Sequence, residues 1–165
     1  LLVSGWMFQL DKDRPAAKTL WPEGQGVSRR ILSDTSTGLL LGDYVYSAKA
    51  GGDFVCLKAA TGEEIWKTSA VTDLINGASI HVTLRGDSAF LFNDRGQLIQ
   101  AHLAPSGYEE ISRTRLIEPT STFGSRKVAW AAPAFAHQNV YARNDQELIC
   151  ISLAANLYRT DKRGR

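Results

Sequence analysis

The chain has 165 residues, of which 44% are hydrophobic and 22% charged, the make-up of a packed globular protein rather than of a disordered or fibrous one. A formal net charge of +2 is too small to argue for a nucleic-acid or anionic-membrane partner on electrostatics, and no nucleic-acid partner is expected. No apolar run approaches the roughly 18 to 20 residues that a membrane-spanning helix needs, so no direct membrane insertion is expected.

From the N terminus, "LLVSGWMFQL" and "AAKTLW" read as the last two strands of a first sheet, and residues 1–30 as the end of a preceding unit. The opening lacks the basic flank of a signal peptide, and a start on Leu rather than Met suggests processing or a fragment of something longer. Residues 37–41, 78–84 and 128–135 read as the first strands of three further units, with Pro133 allowed only if its missing N–H faces an unpaired side. Residues 22–36 and 118–127, rich in Gly, Ser, Thr and Pro, read as connections. The basic tail, residues 156–165, reads as a solvated chain end. No stretch has helical periodicity.

An internal repeat organises these strands. "GDYVYSAKAGGDFVCLKAATGEEIWKT" from Gly42 aligns with "GDSAFLFNDRGQLIQAHLAPSGYEEISRT" from Gly86, and "HQNVYARNDQELICISLAA" from His137 is a clipped third copy. Phe54 and Leu98 are 44 residues apart, Leu98 and Leu148 50; a period of this size built from short strands is the mark of propeller blades. Alternation agrees. One strand face carries Val55 and Leu57, then Ile99, Ala101 and Leu103, then Ile149, Ile151 and Leu153, while the other begins apolar at Phe54, Leu98 and Leu148 and becomes polar. A sheet apolar on both faces must be packed between two others. The expected fold is all-β: a partial β-propeller of about three four-stranded antiparallel blades, at 31–70, 71–117 and, clipped, 126–155, after the remnant of an earlier one.

"LKAATGEEIWKT" now resembles the repeat of the pyrroloquinoline-quinone-like β-propellers, whose blades end in a tryptophan-docking motif, Ala-x-Asp-x-x-Thr-Gly-x-x-x-Trp. Thr61, Gly62 and Trp66 match it, Cys56 and Lys58 replace its alanine and aspartate, and in the second copy Ile111 is aligned with the tryptophan. The resemblance implies that Trp66 pins one blade to the next, with Trp130 read as a second structural indole. Burying an indole removes ~200 Å² from water, several kcal/mol at ~25 cal/mol/Å² before ordering costs.

Chemistry is sparse in the sequence. Quinone-dependent members of the family hold their cofactor under a disulfide of adjacent cysteines, and this chain has only Cys56 and Cys150, a blade apart and expected to be free, buried and inert. His81, His102 and His137 lack metal-ligand spacing. Pro15 interrupts the calcium-like start Asp11 and Asp13. The turns Asn93-Asp94 and Arg143-Asn144-Asp145 hold like positions on two blades and are candidates for a rim or channel mouth, against the plainer reading that Asn and Asp cap tight turns. His81, on an innermost strand, is either a channel-facing ligand contact or a hydrogen-bonded structural histidine.

No catalytic residue, cofactor site or metal site is assigned. The leading reading is a non-catalytic protein-interaction scaffold, nearest in type to the propeller of the bacterial outer-membrane assembly machinery, with a protein partner and self-association through open sheet edges. By that resemblance it belongs to the periplasm or cell envelope. The alternative is a fragment of a quinone-dependent dehydrogenase, the only reading in which the quinone would be a cofactor. A sensor propeller of a longer signalling chain is the third.

Overall fold

The computed structural model describes residues 2–3, 5–22, 32–36 and 38–154. The described residues form strands and turns only, sixteen strands in five antiparallel sheets. The first sheet contains β1 (Leu2–Val3), β2 (Trp6–Leu10) and β3 (Ala17–Trp21) in chain order. The second is four-stranded, with β4 (Leu39–Leu41), β5 (Tyr44–Ala48), β6 (Phe54–Lys58) and β7 (Glu64–Thr68). The third repeats it with β8 (Ile80–Arg85), β9 (Ser88–Asn93), β10 (Gln97–Ala104) and β11 (Gly107–Arg115). A small hairpin, β12 (Ser121–Phe123) with β13 (Arg126–Val128), precedes the last sheet, β14 (Ala134–Ala136), β15 (Asn139–Arg143) and β16 (Leu148–Ser152).

The core follows from the two-faced strands. Val55 and Leu57 point back to Met7 and Trp21 of the first sheet, whereas Phe54 and Cys56, one residue out of phase, point forward to Leu91, Ile99 and Ala101 of the third. Leu98 and Phe92 of the third sheet then meet Val140 and Ala142 of the last. Period-two alternation thus gives each interior sheet two apolar faces and yields three cores, one per sheet-to-sheet junction.

Several expectations change. The first unit contributes three strands rather than two, because Gly5, at φ 81°, turns the chain between Leu2–Val3 and Trp6–Leu10. Residues 118–127 are not a plain connection: Gly124, at φ 59°, makes a two-residue turn that closes the β12–β13 hairpin. Val128 therefore ends β13, and the first strand of the last sheet is only Ala134–Ala136, beginning just after Pro133. Trp130 lies between these elements, outside any strand. Cys150 is exposed, not buried, since nothing among the described residues covers its face, while Cys56 is buried. The basic tail 156–165 and most of the 22–36 connection lie outside the described residues.

Candidate functional site

The sheet junctions are the most strongly patterned places in the molecule. The Trp66 indole leaves β7, meets Tyr46 and Phe54 at ring distances of 5.9 and 6.0 Å, and donates its Nε1–H to the Ala104 carbonyl of the next sheet at 2.8 Å. Trp21, which the sequence reading passed over, does the same one sheet earlier: its Nε1–H donates to the Ala59 carbonyl at 2.7 Å. Both donor and acceptor are displaced by 45 residues between the two junctions. The Thr61-Gly62 turn receives Trp21, since a Cβ on Gly62, at φ +74°, would stand 2.9 Å from the indole Cδ2. Glycine is required there on two counts, the left-handed backbone and the close approach.

The third junction has no such indole. A β-bulge recurs in the outer hairpin of each of the first three sheets, between Met7 and Phe8, Cys56 and Leu57, and Gln100 and Ala101. The bulge sets the register Met7 with Trp21, Cys56 with Trp66 and Gln100 with Ser112. Ser112 therefore holds the tryptophan place, and Ile111 corresponds to the bulged, exposed Ile65. Counting from the Gly turn misses this because the outer hairpin of the third sheet is longer, with one of its extra residues after Gly107.

His81 lines a cavity of about 430 Å³ with Ser33, Asp34, Thr35, Ser36 and Ser47. Its Nε2 lies 2.9 Å from the Trp130 carbonyl; a carbonyl only accepts, so Nε2 carries the proton and Nδ1 of the neutral ring is left as an acceptor. Burial lowers the pKa of the ring, partly offset by that bond. The neighbouring hydroxyls tie linker to linker: Ser33 Oγ donates to the Ala78 carbonyl at 2.6 Å, and the Ile80 amide donates to Ser36 Oγ at 3.2 Å.

The two Asn-Asp turns diverge. Asn93 and Asp94 are buried and do not line an open rim. Asn93 Nδ2 donates to the Val71 carbonyl at 2.7 Å while its Oδ1 accepts from the amides of Arg95 and Gln97. Asn144 is built alike, donating to the Glu118 carbonyl at 2.9 Å and accepting from the amides of Gln146 and Glu147. These side chains tie the incoming linker to the turn. Asp94 is fully enclosed and accepts from Thr72 and from the Arg126 guanidinium of β13, which locks the hairpin against the third sheet. Asp145 instead remains exposed and accepts from Ser121 Oγ at 2.6 Å. Arg143, Asn144 and Asp145 share a cavity of about 260 Å³ with Trp130. The Trp130 ring packs edge-on against Phe123 at 4.8 Å, and its buried Nε1 has no acceptor among the described residues. Among the described residues no group of three or more His, Cys, Asp or Glu side chains is placed to hold a metal.

Successive four-stranded antiparallel sheets, stacked face to face through apolar cores, define part of a β-propeller. Solved structures share the fold: BamB from Moraxella catarrhalis superposes with a TM-score of 0.57 at 16% identity, covering 91% of this chain and 41% of that one. The Cps50 (Swd1) β-propeller domain of Myceliophteria thermophila superposes with a TM-score of 0.56 at 13% identity, covering 87% and 48%. The chain thus spans less than half the length of either. No family model and no curated protein matches it.

Proposed function

We propose that this chain is a protein-interaction scaffold built from pyrroloquinoline-quinone-like propeller repeats, and that the outward faces of its first and last described sheets seat further propeller sheets. The repeat assignment is supported by the paired docking of Trp21 and Trp66 on the Ala59 and Ala104 carbonyls. One observation carries the scaffold reading. Tyr46 and Cys56 are cross-strand partners buried beneath the next sheet, and Tyr141 and Cys150 are the same cross-strand pair in the last sheet. There Cys150 is exposed and the neighbouring Leu148 is 70% exposed. A face made to the same pattern as an interior one calls for the same kind of cover.

The first sheet offers a matching surface at the other end, with Trp6 stacked on Phe8 at 6.3 Å and Leu10 exposed. Two copies joined head to tail through these faces would bring eight stacked sheets together, in line with a chain that covers 41% and 48% of the two propellers it superposes on. Light scattering on a size-exclusion column tests this. A concentration-dependent dimer that Leu148→Glu abolishes is expected, and a stable monomer at high concentration overturns it.

A further inference from the structure

Two junctions are closed by an outer-strand indole; the third, between the β8–β11 sheet and the β14–β16 sheet, has Ser112 in that place and retains an open groove of about 420 Å³. Phe90 and Phe135 form its aromatic floor, stacked in parallel at 5.2 Å with 6° between their planes. The Arg85 guanidinium lies 5.4 Å over the Phe90 ring, and Leu84, His137 and Leu153 supply the walls. Phe90 occupies in its sheet the place that Tyr46 holds in the preceding one, where Tyr46 is a ring on which Trp66 rests.

Three features mark this groove as more than a packing gap. Leu84 is 45% exposed within it, so apolar surface is offered at the lip. Among its described lining residues the charged side chain is Arg85, with the His137 imidazole beside it and no carboxylate. The turn at its edge is also unusual: the Gly-Asp pairs of the two earlier blades are replaced by His137 and Gln138, held at φ 49° and 59°. Side chains other than glycine rarely adopt that backbone, and where they do the surrounding structure fixes them.

We propose that this groove docks an aromatic side chain presented by an acidic segment of a partner protein. The proposal builds on the scaffold reading but uses a different surface from the end faces. An aromatic side chain entering there would stack on Phe135 and under Arg85, combining apolar burial with a cation–π contact, while flanking carboxylates would face Arg85 and His137.

The test is a titration of the isotope-labelled full chain with three capped peptides, Glu-Trp-Glu, Glu-Ala-Glu and Lys-Trp-Lys, read by amide chemical shifts. Saturable shifts confined to residues around Leu84, Phe90 and Phe135 are expected with the first peptide, with at least tenfold weaker binding of the other two. Arg85→Glu, an exposed substitution that leaves the fold intact, should weaken the first peptide tenfold and favour the third. Equal binding of the alanine peptide, shifts scattered over the molecule, or nuclear Overhauser contacts from Phe135 to a residue of the same chain beyond 154 would overturn the proposal. If the groove is silent while the chain still dimerises through the Leu148 face, the scaffold reading stands and the groove alone is discarded.

Discussion

Replacing Gly62 with alanine tests whether the indole of one sheet is held by the turn of the next. Gly62 sits at φ +74°, and an added Cβ would meet Trp21 Cδ2 at 2.9 Å and Cγ at 3.0 Å. Gly42 is its control: φ is +58° and nothing lies within 4 Å of the added atom. Both substitutions carry the left-handed penalty of about 1–2 kcal/mol, and only Gly62→Ala adds overpacking, a further ~1–3 kcal/mol. Gly42→Ala should therefore lose ~1–2 kcal/mol and Gly62→Ala ~2–5 kcal/mol. In a Trp21→Ala background the extra loss should vanish, which a double-mutant cycle reads as a coupling of ~1–3 kcal/mol. Urea unfolding followed by far-ultraviolet circular dichroism avoids the fluorescence change caused by removing Trp21. Equal destabilisation by the two alanines to within about 0.5 kcal/mol, or no coupling to Trp21, would refute the reasoning.

Burial lowers the His81 pKa, whereas the imidazole of the unfolded chain titrates near 6.5. As pH falls below that value the unfolded state gains a proton that the folded state resists, so stability declines until folded His81 itself protonates. His81→Gln should flatten the fall in melting temperature between pH 7.5 and about pH 5, and an unchanged slope would contradict it. Burial also raises the pKa of Cys56, whereas Cys150 is exposed, so maleimide should modify Cys150 alone in the native state and Cys56 only on unfolding. Mass spectrometry of the labelled protein reads this, and rapid double labelling would contradict it. Asp94→Ala should cost about 3 kcal/mol, the lower end for breaking a buried pair, because Arg126 keeps some exposure. Asp94→Leu combined with Arg126→Met should recover much of that loss in the same urea assay, and a loss below about 1 kcal/mol for Asp94→Ala would argue against the lock.

The interior sheets were legible because their signal is local and repeated. Phe54 with Val55 and Leu98 with Ile99 alternate between junctions, and a two-residue period survives any uncertainty about where a strand ends. The all-β partial propeller follows from that alternation and the 44-residue spacing of Phe54 and Leu98. What failed to show is set by geometry that composition does not encode. Trp21 stands before Pro22 with no Thr-Gly turn ahead of it, so its docking is visible only through the bond to Ala59. The extra residue after Gly107 moves the tryptophan place from Ile111 to Ser112, a one-residue change that a turn-based alignment absorbs without trace. The β12–β13 hairpin is short, and the Arg126 bond that ties it to the third sheet reaches the distant Asp94.

Asn93 and Asn144 cap their turns, as the plainer reading of the sequence has it. Their matched positions mark a linker clamp, each side chain donating to a carbonyl of the incoming chain and accepting from the turn that follows it. A repeated polar residue in a propeller turn thus carries information about assembly before it carries any about ligands. The groove over Phe90 and Phe135 gave no sequence signal, because it is lined by side chains from four strands and a turn that lie far apart in the chain.

The most direct check on the stacked-sheet account is the set of nuclear Overhauser contacts made by the two indole N–H protons. That of Trp21 should lie close to protons of Ala59 and Gly62, and that of Trp66 to protons of Ala104 and its neighbours, each in the sheet after its own. Contacts confined to each tryptophan's own sheet, or indole protons exchanging freely with solvent, would contradict it.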